Sequence, residues 1–228
     1  MPAERTPGNA SERIKMGQAM QTPWKMWNEL LRWLAYPRIR LLFALNGIPW
    51  GEGWRFHGVP IIQKHQGSRM EFGSYLQLRS SARSNPLGAN RPVILSAWRA
   101  GAVLEIGDRF AMTGGTVCAA ERITIGQDVT VGANTIIIDS DFHPLDPEQR
   151  RWHPQQASTA PVLIQDGVFI GVQCLILKGI TLGQGCVVGA GSVVTQDVPA
   201  GMIVAGNPAQ PLTAQADAGA ELAEAQRG

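Results

Sequence analysis

The sequence predicts an all-β chain wound as a parallel β-helix, and three observations point to it. Aliphatic residues recur at a step of six, turn residues punctuate the same step, and 17% of the 228 residues are charged, against about 25% in an average globular chain. From Ile164 the step of six gives Ile170, Ile176, Leu182, Val188 and Val194. Four residues after each aliphatic come Val168, Cys174, Ile180, Cys186, Ser192 and Val198, which are small or β-branched, and Gly171, Gly183 and Gly189 directly follow three of them. A period of six suits neither a helix nor a long strand, because Gly or Asn at that interval disrupts both. Each hexapeptide is instead one short strand plus a corner. Three complete a triangular coil of about eighteen residues, and successive coils stack at roughly 4.8 Å through parallel hydrogen bonds. The aliphatics form ladders inside the prism, and small residues fit its corners.

The elements follow in order. Residues 1–21 are polar and aperiodic and read as a flexible N-terminal arm. Residues 22–57 form a helical cap segment: Thr22 suits an N-cap with Pro23 at the first helical position, Trp24, Trp27, Leu30, Leu31 and Leu34 recur at helical spacing, and Pro37 is expected to stop the helix. With Lys25, Arg32, Arg38 and Arg40 nearby, that apolar face suits packing on the main body, on a neighbouring subunit, or against a membrane surface. Residues 58–212 carry the prism. Its opening coils are expected to be irregular, since Phe72-Gly73 and Leu78 keep phase while Pro86 and Pro92 break it. A first ladder then runs Ala100, Ile106, Met112 and Cys118, and resumes after one extra residue with Ile125, Val131 and Ile137. Residues 213–228 are Ala-rich and read as a short helix or frayed tail.

Composition narrows the function classes. A net charge of +2 and 44% hydrophobic content argue against a disordered chain, a coiled coil and a nucleic-acid binder. Three cysteines without a CxxC pair argue against a disulfide scaffold or a thiolate metal site and favour a reducing cytoplasm, with Cys174 and Cys186 as buried inert thiols. The first twenty residues lack a signal-peptide core, and no run reaches the eighteen or so apolar residues of a transmembrane segment.

Between Ile138 and Pro161 the rhythm is suspended, so a loop near residues 139–161 must leave the prism and return in phase; loops of that length usually carry function. It holds His143 and His153 with Asp139, Asp141 and Trp152. The strings IGVQCL, LGQGCV and VGAGSV resemble the hexapeptide-repeat acyltransferases, and IIIDSDFHPLD with the later VVGAGSVVT and AGNPA is similar to the sugar, maltose or galactoside O-acetyltransferase branch. Residues 22–60 resemble the helical caps of cell-surface polysaccharide acetyltransferases.

That resemblance implies a left-handed β-helix, a homotrimer with active sites between subunits, and acetyl transfer from acetyl-CoA to a hydroxyl of a sugar or glycan precursor, with a role in polysaccharide biosynthesis. His143 takes the position of the catalytic base, removing the hydroxyl proton as the thioester is attacked. Asp139 or Asp141, or a backbone carbonyl, would fix its tautomer, and N–H groups near Gly171 and Val172 would hold the oxyanion. The positions matching the coenzyme groove are Gly171, Val172, Ala190, Gly191, Thr195, Gln196, Asn207, Pro208 and Gln210. Relatives often carry basic residues where this chain has Gln196 and Gln210, and Lys178 is a candidate substitute; TGGTVCAA stands where galactoside-type members are Asn-rich, leaving Thr113 and Thr116 as candidate acceptor contacts. No metal site is expected. The competing readings are a carbonic-anhydrase-like metalloenzyme, which needs a third histidine, and a non-catalytic β-helix scaffold.

Overall fold

The computed structural model describes residues 22–212, so the expectations for the N-terminal arm and the C-terminal tail fall outside the described residues. The chain is a left-handed parallel β-helix with three faces, capped at its N-terminal end by one helix. The first face has eight strands: Arg55–His57, Gln77–Arg79, Ala111–Thr113, Thr130–Val131, Phe169–Ile170, Val187–Val188, Ile203–Gly206 and Ala209–Pro211. The second has six: Ile61–Lys64, Ile94–Ala97, Thr116–Ala119, Ile136–Ile138, Leu175–Ile176 and Val193–Val194. The third has five: Arg69–Phe72, Val103–Ile106, Arg122–Ile125, Val162–Ile164 and Thr181–Leu182. The pairs between these strands are parallel except the last, where Ala209–Pro211 turns back antiparallel on Ile203–Gly206.

The ladders follow from the hexapeptide register. Met112, Val131, Ile170, Val188 and Val204 stack on the first face, and Leu95, Val117, Ile137, Ile176 and Val194 on the second. All ten are buried, each worth about 1.5–3 kcal/mol over an exposed side chain.

Two members of the expected first ladder sit elsewhere. Ala100 is exposed in a turn, and Val117, not Cys118, pairs with Ile137. The corner between Met112 and Val117 is one residue short because Gly114 and Gly115, both at positive φ, turn it tightly. The next corner absorbs the difference before Ile125. The opening coils are also more regular than expected: Arg55–His57, Ile61–Lys64 and Arg69–Phe72 already form one complete turn, and Pro86 and Pro92 lie in an excursion between Arg79 and Ile94.

Pro37 does not stop the helix. Helix α1 runs Pro23–Leu45 straight through it. An interior proline costs about 3 kcal/mol. Continuing the helix brings Ile39 and Phe43 to full burial, with the Phe43 ring 5.1 Å from Trp54, 5.4 Å from Phe56 and 6.1 Å from Phe72, which more than offsets that cost. Tyr36 adds a hydrogen bond from its hydroxyl to the Trp54 carbonyl at 2.9 Å. The apolar face carrying Trp24, Trp27, Leu30, Leu31 and Leu34 does not pack on the prism of its own chain and is exposed there.

Candidate active site

Where the second face ends in the fourth coil, residues 139–161 leave the prism. The base of the loop is zipped: Ser140 pairs antiparallel with Thr159, the Asp141 N–H donates to the Ser158 carbonyl at 3.0 Å and the Ala160 N–H to the Asp139 carbonyl at 3.0 Å. Farther out, helix α2, Pro147–Trp152, is N-capped by Asp146, whose carboxylate accepts from the Gln149 N–H at 2.7 Å. His153 is exposed at the C-terminal end of α2.

His143 lies on the outgoing limb, exposed, one residue past a tight turn. Its N–H donates to the Asp141 carbonyl at 2.7 Å, and the residue between them, Phe142, has φ +60°. A left-handed aromatic residue is costly and persists only where its surroundings hold it. Two contacts do so: the Phe142 N–H donates to the Ser140 hydroxyl at 3.0 Å, and its ring stacks on Trp98 at 5.9 Å with an interplanar angle of 11°. The Arg99 guanidinium covers the Trp98 ring at 4.4 Å. The sequence reading missed Trp98 and Phe142. The available signal is that Trp98 directly follows the strand Ile94–Ala97, at the same corner as the loop, two coils earlier.

The two carboxylates stand differently. Asp139 is fully buried and accepts three backbone N–H groups: Oδ1 from Ala120 at 2.7 Å, Oδ2 from Glu121 and Arg122 at 2.8 Å each. Burial pushes its carboxyl above the ordinary value, and the three N–H groups oppose that rise. Asp139 therefore closes the corner at residues 120–122. Asp141 is exposed, with Oδ2 3.4 Å from the Lys178 ammonium.

The remaining candidates divide between two edges of the second face. Pairing of Ile137 with Ile176 and of Ile176 with Val194 places Asp139, Lys178 and Gln196 in one column, beside Thr195, at the edge bearing the loop. At the other edge Gly171, Val172, Ala190, Gly191, Asn207 and Pro208 occupy successive coils, with the Gly191 N–H on the Val172 carbonyl at 2.8 Å. Coils approach so closely there that a Cβ on Gly132 would lie 2.4 Å from the Gly171 carbonyl carbon, and one on Gly171 would lie 2.6 Å from the Ala190 nitrogen. Gln210 is exposed on the returning strand, paired with Ala205. Within one chain, therefore, the glycine-lined edge and the His143 edge are not brought together.

Other polar candidates are engaged. Thr113 is buried, its hydroxyl oxygen accepting from the Asn85 side-chain N–H at 3.1 Å, while Thr116 is half-buried. The thiols of Cys118, Cys174 and Cys186 are free, buried and raised by that burial, Cys186 to about 11, which removes them as nucleophiles. Among the described residues no three His, Cys, Asp or Glu side chains cluster as a metal site would require.

Residues 161–196 match the family model for the hexapeptide repeat of succinyl-transferase. Over 87 residues the chain is 41% identical to the 2,3,4,5-tetrahydropyridine-2,6-dicarboxylate N-acetyltransferase of Staphylococcus aureus, covering 38% of this chain and 31% of that one. The chain spans less than half the length of the curated relatives it matches. Among solved structures it is similar to a maltose O-acetyltransferase from Clostridium difficile 630, at 26% identity, 69% coverage of this chain, 68% of that chain and TM-score 0.37. It is also similar to a galactoside acetyltransferase in complex with coenzyme A, at 24% identity, 67% and 63% coverage and TM-score 0.40.

Proposed function

We propose that this chain is a coenzyme A-dependent acyltransferase that moves an acetyl group from acetyl-CoA to a hydroxyl of a sugar or glycan precursor, with His143 as general base. One observation carries the reading: an exposed histidine, His143, set at the corner of a hexapeptide prism directly after a left-handed Phe142 that stacks on Trp98. The matched repeat over residues 161–196 and the 41% identity to an acetyltransferase support the acyl-transfer class.

A sugar hydroxyl is far too weakly acidic to attack a thioester with its proton in place. The imidazole takes that proton as the C–O bond forms, a contribution of roughly 10²- to 10⁴-fold. The tetrahedral carbon then collapses with loss of the coenzyme A thiolate, which is protonated, so no acyl-enzyme is needed. Asp141 is the carboxylate left to orient the imidazole, because both oxygens of Asp139 are spent on backbone N–H groups. The acetyl-CoA supplied from outside lies along the edge at Gly171, Val172, Ala190 and Gly191, where open space beside Gly191 lets a thin chain approach the backbone, with Asn207, Pro208 and Gln210 farther along. Since that edge and the His143 edge are separate in one chain, the complete site takes one edge from each of two protomers of a homotrimer, with Thr195, Gln196 and Lys178 on the His143 side. Lys178 offers the phosphates a cation that Gln196 and Gln210 do not.

A crystal soaked with coenzyme A tests the arrangement. The expected result is density along the glycine edge with its sulfur directed at a neighbouring protomer's His143; a coenzyme seated elsewhere, or a protein that stays monomeric and binds none at millimolar concentration, would leave the scaffold reading in its place.

A further inference from the structure

The charged groups at the loop corner pair off and leave one guanidinium over. Asp139 is spent on three backbone N–H groups, Asp141 stands 3.4 Å from Lys178, and Glu121, one coil before the loop, accepts from the Thr159 hydroxyl at 2.6 Å. Arg99, two coils before the loop, receives none of these carboxylates. Among the described residues its guanidinium makes no hydrogen bond and no ion pair, and its Nη2 is enclosed without an acceptor. An enclosed donor without a partner is costly and rare in a folded chain. The group is nonetheless held in place. It lies over the Trp98 ring at 4.4 Å, Trp98 stacks on Phe142 at 5.9 Å, and His143 is the next residue, so an unpaired cation and the proposed base sit at the two ends of one aromatic contact.

Position gives that cation to the acceptor and not to the donor. Parallel pairing of Ile94–Ala97 with Thr116–Ala119, and of Thr116–Ala119 with Ile136–Ile138, sets Arg99 at the corner of the loop, two coils toward the N-terminus. Lys178 and Gln196, on the coenzyme side of the proposed site, lie one and two coils beyond the loop in the opposite direction. Thioester and hydroxyl must meet at His143. With the donor on the C-terminal side, the acceptor comes from the N-terminal side, past Trp98 and Phe142, which are 37% and 39% exposed. A guanidinium keeps its charge at every working pH and presents a flat fork of N–H donors that fits a carboxylate or a phosphate through two parallel hydrogen bonds; a neutral hydroxyl offers it far less. Building on the acyl-transfer reading with His143 as base, we infer that Arg99 selects an acceptor that carries an oxyanion, a sugar acid or a sugar phosphate, on the same molecule as the hydroxyl that is acylated.

Two measurements on the full chain test this, each in wild type, Arg99→Gln and Arg99→Lys. The first is thiol release from acetyl-CoA with glucose, glucuronate and glucose 1-phosphate, and with galactose, galacturonate and galactose 1-phosphate. The second is calorimetric binding of the same compounds in the presence of coenzyme A. Wild type is expected to favour the acid or the phosphate over the neutral sugar, and the favoured one of the two identifies the anion. Arg99→Gln should lower that preference about tenfold or more, through the acceptor KM, with the acetyl-CoA KM and the oligomeric state unchanged, and Arg99→Lys should recover part of it. A wild type without preference for either charged series, or a preference that Arg99→Gln leaves intact, overturns the inference. So does an oligomer that Arg99→Gln dissociates, which would give the guanidinium to a neighbouring protomer. Calorimetry keeps the two claims apart: charged sugars that bind through Arg99, with no thiol released to any acceptor, would establish the anion site and sink the acyl-transfer reading.

Discussion

Replacing Asp139 by Asn separates a carboxylate that builds the prism from one that serves the chemistry. The native carboxylate accepts three N–H groups, two on Oδ2 and one on Oδ1. An asparagine keeps one carbonyl oxygen, which at best retains the Glu121 and Arg122 donors. Its amide N–H₂ then faces the buried Ala120 N–H, donor against donor. One orphaned buried N–H with a buried amide costs about 2–4 kcal/mol. For a chain of this length each kcal/mol moves the melting temperature by about 2–4 °C, so Asp139→Asn should melt roughly 5–15 °C lower. Asp139→Ala orphans all three donors and should melt lower still. Scanning calorimetry of the three proteins measures this series, and thiol release from acetyl-CoA, assayed well below each transition, measures the chemistry. Turnover per folded molecule is expected to stay within severalfold of wild type. An Asp139→Asn protein that melts within about a degree of wild type while losing most of its turnover would refute the assignment of this carboxylate to the corner.

Two further outcomes follow from named contacts. Burial, with the Arg79 guanidinium nearby, pushes the His57 imidazole down to about 4; the folded chain therefore refuses a proton that the unfolded chain takes, and this contribution to stability, full above about pH 6.5, is lost as pH falls toward 4, by about 3 kcal/mol in all. Denaturant titrations should show that slope in wild type and a flatter one in His57→Gln; parallel curves would contradict it. Trp98→Leu removes the ring that holds Phe142 left-handed, an aromatic contact worth about 0.5–1.5 kcal/mol, so thiol release should fall up to about tenfold with little change in the affinity for coenzyme A; unchanged turnover would show that the stack does not aim His143.

The prism was legible because a ladder repeats one decision many times: Ile164 to Val194 carries the same choice at six successive positions, and the structure buries each of them. Single corners are set by local backbone geometry, which a periodic rule does not contain, so the step of six points Ala100 and Cys118 inward while the Gly114-Gly115 turn shifts the register to Val117. Pro37 misled for a related reason. Propensity stops a helix there, but the rings that reward its continuation, Trp54, Phe56 and Phe72, lie up to 35 residues farther along. At the candidate site the loop and its histidine were readable from the break in period. The division of labour between Asp139 and Asp141, and the Trp98–Phe142 stack, depend on which residues the coils place side by side.

The most direct measurement of the central claim is the rate of thiol release from acetyl-CoA by wild type and His143→Ala, each with a panel of sugars and across pH. Turnover is expected with at least one hydroxyl acceptor, reduced by roughly 10²- to 10⁴-fold in the alanine variant at unchanged coenzyme A affinity. Equal rates in the two proteins would contradict it.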